Sequence, residues 1–154
     1  VAARPSRAYK LKFSSAGIAL FIECHSRLCR LVGDLLPYGA TLRVSVTMLD
    51  RVPLDEIAAE LITGGLDHYA GKEIRFVGTS PQLATLTARL SERISATEAI
   101  SAAPPTWRLY LAALSLMRVT DDAILARTYH SLRESDEAML PRCADTSPAL
   151  GKSQ

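Results

Sequence analysis

The period of the apolar residues changes repeatedly along this chain, and a sequence that switches between a period of two and one of about 3.6 is confined to folds that lay helices on a sheet. Residues 8–13, AYKLKF, set Tyr9, Leu11 and Phe13 on one side and Lys10 and Lys12 on the other, which predicts a half-buried strand. Residues 18–23, IALFIE, are apolar on both faces and predict a more central strand, paired with the first as a hairpin. Residues 41–48 alternate again: Leu42, Val44, Val46 and Met48 turn inward, Arg43, Ser45 and Thr47 outward. Residues 73–78, EIRFVG, predict a short fourth strand.

Helical spacing separates these runs. Over 25–36, Leu28, Leu31, Val32, Leu35 and Leu36 form one stripe, with Pro37 and Gly39 ending it. Over 53–66, Pro53 suits the first turn, Asp55 and Glu56 favour the positive helix start, and Leu54, Ile57, Ala58, Leu61 and Ile62 form the stripe. Ser80 caps a third helix opened by Pro81, with Leu83, Leu86, Leu90 and Ile94 inward. Residues 95–105 read as a connector with a short edge strand near Ile100. Helices over 106–118 and 121–140 follow, and 142–154 is expected to fray. The expected fold is therefore α/β: a four- or five-stranded mixed sheet covered by helices, in the order β-β-α-β-α-β-α. It occupies 8–100, with a C-terminal helix pair over 106–140 packed on it and a tail over 141–154.

Composition bounds the function classes. The chain has 154 residues, 48% of them apolar, enough for one core without staples. Lys plus Arg total 18 against 16 Asp plus Glu, a balance that does not mark the whole chain as a nucleic-acid binder. Arg4, Arg7, Lys10 and Lys12 all precede the first acid, Glu23, and read as a solvated arm and a protected edge strand. No apolar run reaches the roughly 20 residues of a membrane span, and no signal peptide is expected. Cys24, Cys29 and Cys143 are odd in number and without framework spacing, so they read as reduced thiols of a cytoplasmic protein.

Residues 38–62, YGATLRVSVTMLDRVPLDEIAAELI, and 71–90, GKEIRFVGTSPQLATLTARL, together with the element order, resemble STAS domains, the module of sulfate transporters and anti-sigma factor antagonists. The resemblance implies a non-enzymatic regulatory domain that captures a protein partner, an anti-sigma-like kinase or another regulator. It implies a contact surface of Asp50, Arg51, Pro53, Leu54, Asp55 and Glu56 at the corner where a strand meets a helix. Pro53, Leu54 and Asp55 stand where phosphoswitch members carry their target serine, so phosphorylation there is not implied.

Two other segments resemble other families. RLCRLVGDLL at 27–36, VPLDEI at 52–57, and Ala70, Lys72 and Ile74 look like the junction of sensor histidine kinases, implying a degenerate or phosphotransfer relative with His25 as acceptor. The chain has no asparagine and no DxGxG, so that likeness implies no ATP chemistry. The C-terminal helices, through the spacing of Ala112 and Met117, are similar to ANTAR, an RNA-binding three-helix module, which implies an RNA-binding regulator.

No catalytic constellation, cofactor or metal site is expected. Cys24, His25 and Cys29 are too few for a structural zinc site, and the adjacent Cys24 and His25 side chains diverge. No G-x-S-x-G occurs, and Gly151-Lys152-Ser153 lacks the upstream glycine of a phosphate loop. Thr79 and Ser80, at a helix start, could receive an anion. The stripe of Leu125, Tyr129 and Leu132 either packs back on the sheet or forms a homodimer.

Overall fold

The computed structural model describes residues 8–98, 100 and 102–140; the expected tail over 141–154 lies outside them. The order is β1 (Ala8–Phe13), α1 (Ser15–Val32), α2 (Tyr38–Asp50), α3 (Leu54–Ile62), a 3-10 turn (Gly64–His68), β2 (Glu73–Gly78), α4 (Pro81–Ser95), α5 (Thr106–Arg118) and α6 (Asp122–Met139). Among the described residues the only sheet is one antiparallel pair, β1 with β2, in the register Tyr9↔Val77 and Leu11↔Arg75. The expected mixed sheet of four or five strands is not there, nor is a strand at Ile100.

Two expected strands are helices, and each has a local cause. Residues 18–23 belong to α1, whose N-cap Ser14 accepts a hydrogen bond from the Gly17 amide at 3.1 Å. The helix then runs to Gly33, which takes φ 77 as its left-handed terminator. Leu20, Phe21, Cys24 and Leu28 recur on its buried face while Ile22 stays 60% exposed. A short apolar run carries no period that separates a buried strand from a buried helix segment.

Residues 41–48 lie within α2, and Pro37, expected to end the preceding helix, is the N-cap of this one. The strand reading needed Ser45 on a wet face, but Thr41, Leu42, Val44, Ser45, Val46, Met48 and Leu49 are all buried. α2 is the central element: it packs most extensively on α5 and touches α1, α4, α6 and β2. Two of its hydroxyls are satisfied within the helix, Ser45 Oγ donating to the Leu42 carbonyl at 2.8 Å and Thr47 Oγ1 to that of Arg43 at 2.7 Å.

The remaining elements lie close to their expected spans. Ser80 caps α4 by accepting from the Leu83 amide at 3.2 Å, with Pro81 in the first turn. In β1, Leu11 and Phe13 are buried while Lys10 and Lys12 are exposed. α5 runs through the same core, burying Leu109 to Leu114 and Met117. Tyr110 hydrogen-bonds Thr87 of α4 at 3.0 Å and meets the Tyr9 ring edge-on at 5.0 Å. Leu125 of α6 is buried, and Tyr129 and Leu132 pack against the core. Arginines close the helix C-termini. Arg27 donates to the Met117 and Thr120 carbonyls at the end of α5, and Arg108 donates to that of Leu61 at the end of α3.

Candidate functional site

Three elements converge on a cleft of about 570 Å³. α2 contributes its first turn, Tyr38, Gly39 and Ala40, with Arg43 and Val44. The junction of β2 and α4 contributes Gly78, Thr79, Ser80 and Gln82. α6 contributes Tyr129, Leu132, Arg133 and Asp136. The size is that of an ordinary ligand cleft.

Close packing of backbone builds its rear. A Cβ on Gly39 would stand 2.6 Å from the Gly78 carbonyl oxygen, so only glycine lets the start of α2 reach the end of β2. Two helix starts are thereby brought to one place. α2 begins on Pro37 with no side-chain cap and no acid in its first turn, so the first-turn amides of Tyr38 and Gly39 have no acceptor within the helix. α4 also carries no acid in its first turn. Ser80 Oγ accepts from Leu83, which leaves its own O–H for another acceptor, and Thr79 Oγ1 donates to the Ser80 carbonyl at 3.2 Å.

The side walls differ in character. Leu36, Val44 and Leu132 give an apolar surface. Arg43 is held by Asp136, with Nη1 to Oδ2 at 2.5 Å and Nη2 to Oδ1 at 2.8 Å. That hydrogen bond keeps the Asp136 carboxyl below the ordinary carboxylate range. Arg133 donates to the Tyr129 hydroxyl at 3.2 Å and meets Glu137 at 3.6 Å, both arms exposed to solvent. Helix starts, the Ser80 hydroxyl and two guanidinium groups thus stand beside an apolar wall, a combination of positive potential and apolar surface.

Thr79 and Ser80, the residues expected at an anion site, both line this cleft. The residues of the expected partner surface, Asp50, Arg51, Pro53, Leu54, Asp55 and Glu56, have different settings. Asp50 is the last residue of α2, with its side chain 18% exposed. It binds Arg93 Nη1 at 2.5 Å and Arg89 Nη2 at 2.9 Å, both from α4. Arg51 donates to Thr128 of α6 at 3.2 Å. Leu54 packs against the core. Pro53, Asp55 and Glu56 are exposed around the start of α3. The strand-to-helix corner that gave this surface its rationale is a junction between two helices instead.

Arg43, Arg133 and Asp136 were not legible as site residues. Alternation sends Arg43 to the solvent face of a strand, and Asp136 is 93 residues further along the chain. The one usable signal was the pair of acid-free helix starts, that of α2 also uncapped, visible only once 38–50 is known to be helical. Among the described residues no three or more His, Cys, Asp and Glu side chains gather as metal ligands, and no helix is long and apolar enough to cross a membrane. Comparison with family models, curated proteins and solved structures finds no match for this chain.

Proposed function

We propose that this protein is a non-catalytic regulatory binding domain whose cleft seats an acidic group, carboxylate or phosphate, that a partner protein carries beside an apolar side chain. The observation that carries this reading is the convergence of the α2 and α4 starts with Arg43 and Arg133 in one cleft. Free first-turn amides and the positive end of a helix favour an anion by about 0.3–1 kcal/mol each, and a partly desolvated guanidinium adds a charge-assisted bond. The apolar wall of Leu36, Val44 and Leu132 takes the adjoining side chain. Asp136 occupies Arg43 in the unbound protein, so the partner's anion competes with it or bonds to Arg133 and the amides.

The test is an amide NMR titration with a short peptide carrying phosphoserine beside leucine, its unphosphorylated form, and inorganic phosphate. The expected result is a set of shifts at Tyr38, Gly39 and Gln82 with the phosphopeptide, weaker ones with phosphate, and at least tenfold weaker binding in Arg133→Glu. Shifts centred elsewhere, or equal binding by the variant, would overturn the reading.

A further inference from the structure

Cys29 and His25 sit one turn apart on α1, and the fold arranges a third group behind them. Cys29 Sγ is 3.6 Å from His25 Nε2. The other ring nitrogen, Nδ1, is 2.7 Å from Thr41 Oγ1, on a residue of α2 with 0% exposure. Phe21 stacks on the imidazole at 5.9 Å and Tyr38 meets it edge-on at 4.8 Å. The ring is thus held in one orientation from both α1 and α2.

Burial lowers the His25 pKa from its ordinary value of 6.5, so the ring is neutral at neutral pH and keeps a lone pair. We assign the Nδ1–H as donor to Thr41, which leaves that lone pair on Nε2, facing Sγ. Cys29 is half-buried and lies near the end of α1, where the helix dipole opposes a thiolate. The imidazole Nε2, 3.6 Å away, is a proton acceptor at contact distance. The neighbouring Cys24 differs in every respect. It is buried, its thiol donates to the Leu114 carbonyl at 3.4 Å, and burial, with Glu23 adding, pushes its pKa up to about 11.

We propose that Cys29 is a base-assisted thiol that exchanges with small disulfides of the glutathione type, with His25 accepting its proton and Thr41 positioning the ring. His25 Nε2 takes the proton from Sγ, and the thiolate attacks one sulfur of the disulfide. The Sγ–S bond forms as the S–S bond breaks, and the departing thiolate takes a proton from the imidazolium. The small disulfide is the oxidant, and Cys29 leaves as a mixed disulfide. Arg30, exposed on the next position of α1, adds positive charge for a disulfide whose arms carry carboxylates. This inference is independent of the cleft reading.

The test follows each cysteine of the full chain by mass spectrometry during reaction with oxidised glutathione, native and in urea. Native Cys29 is expected to react faster than Cys29 of the unfolded chain, and Cys24 to react only on unfolding. His25→Gln is expected to slow native Cys29 about tenfold, to leave the unfolded rate unchanged, and to shift the pH profile of the native rate, which loss of packing alone would not move. Thr41→Val serves as the second variant, with the same direction and a smaller loss, should His25→Gln fold poorly. A native Cys29 slower than the unfolded one, or native rates unaltered in both variants, would overturn the proposal.

Discussion

Arg43 and Asp136 form a two-point ion pair, 2.5 and 2.8 Å, that ties the central helix α2 to the last helix α6 at the wall of the cleft. Planar guanidinium and carboxylate match in this geometry, which gives direction as well as charge. The pair also sets the resting state of the cleft, because Asp136 supplies the anion that Arg43 would otherwise seek outside.

Asp136→Asn separates those two roles. The amide keeps the side-chain shape and removes the charge. The Asp136 side chain is 37% exposed, so solvent screens the pair and the stability loss is expected to stay below about 1 kcal/mol. Anion binding by the cleft is expected to tighten, since Arg43 is released. Urea denaturation and phosphopeptide titration of the variant check the two effects separately. Because Arg43 depresses the Asp136 pKa, the pair's contribution is present above the ordinary carboxylate range and fades as pH falls through the folded value.

Asp50 carries a different expectation from its proposed reading as a partner contact. Its carboxylate joins the end of α2 to Arg89 and Arg93 on α4. Asp50→Ala is expected to cost on the order of 1 kcal/mol in a urea melt, the arginines being 58% and 40% exposed. A double-mutant cycle with Arg93→Ala should show coupling of the same order. A cycle with Glu56→Ala, which shares no partner with Asp50, should be additive.

Gly39→Ala gives a prediction with an unusual sign. Alanine in place of glycine within a helix ordinarily stabilises by about 1 kcal/mol. Here the new Cβ meets the Gly78 carbonyl, backbone that no rotamer change can move. We expect a net loss of about 1–3 kcal/mol, typical of overpacking, and weaker phosphopeptide binding because the two helix starts are forced apart. A thermal melt with unchanged or raised midpoint would show that the α2–β2 contact yields.

Several elements can be read in the sequence, but the fold class cannot, because two expected strands are helices. Ser80-Pro81 and the alternation of β1 mark their elements because punctuation and period agree. Residues 41–48 mislead because that helix segment is buried deeply enough to lose its polar stripe, and residues 18–23 because the exposed face of α1 carries the apolar Ala19 and Ile22 there. α2 is enclosed by five other elements, so its Ser45 and Thr41 are interior and its apparent alternation reports no wet face. The cleft suffers in turn. Thr79 and Ser80 are legible from their turn chemistry, but Arg43 and Asp136 come together only through the packing of α2 on α6. Cys29 and His25, by contrast, lie four residues apart in the helix expected over 25–36, and what the sequence hides is Thr41, brought to the ring by α2.

The titration of His25 offers a check on that burial which does not depend on any ligand. Desolvation lowers its folded pKa, while in the unfolded chain the ring returns to its ordinary value of 6.5. Between those two values the unfolded state binds more protons, so stability rises with pH. His25 therefore imposes no penalty above about 6.5, and the protein loses stability as pH falls from there towards the folded value. His25→Gln removes this dependence, so the difference between the two proteins isolates it. Urea midpoints measured at pH 8, 6 and 5 should converge for wild type and variant as pH falls, the wild type losing more. Parallel midpoints at all three would mean that the ring between Phe21, Tyr38 and Thr41 is as hydrated in the folded chain as in the unfolded one.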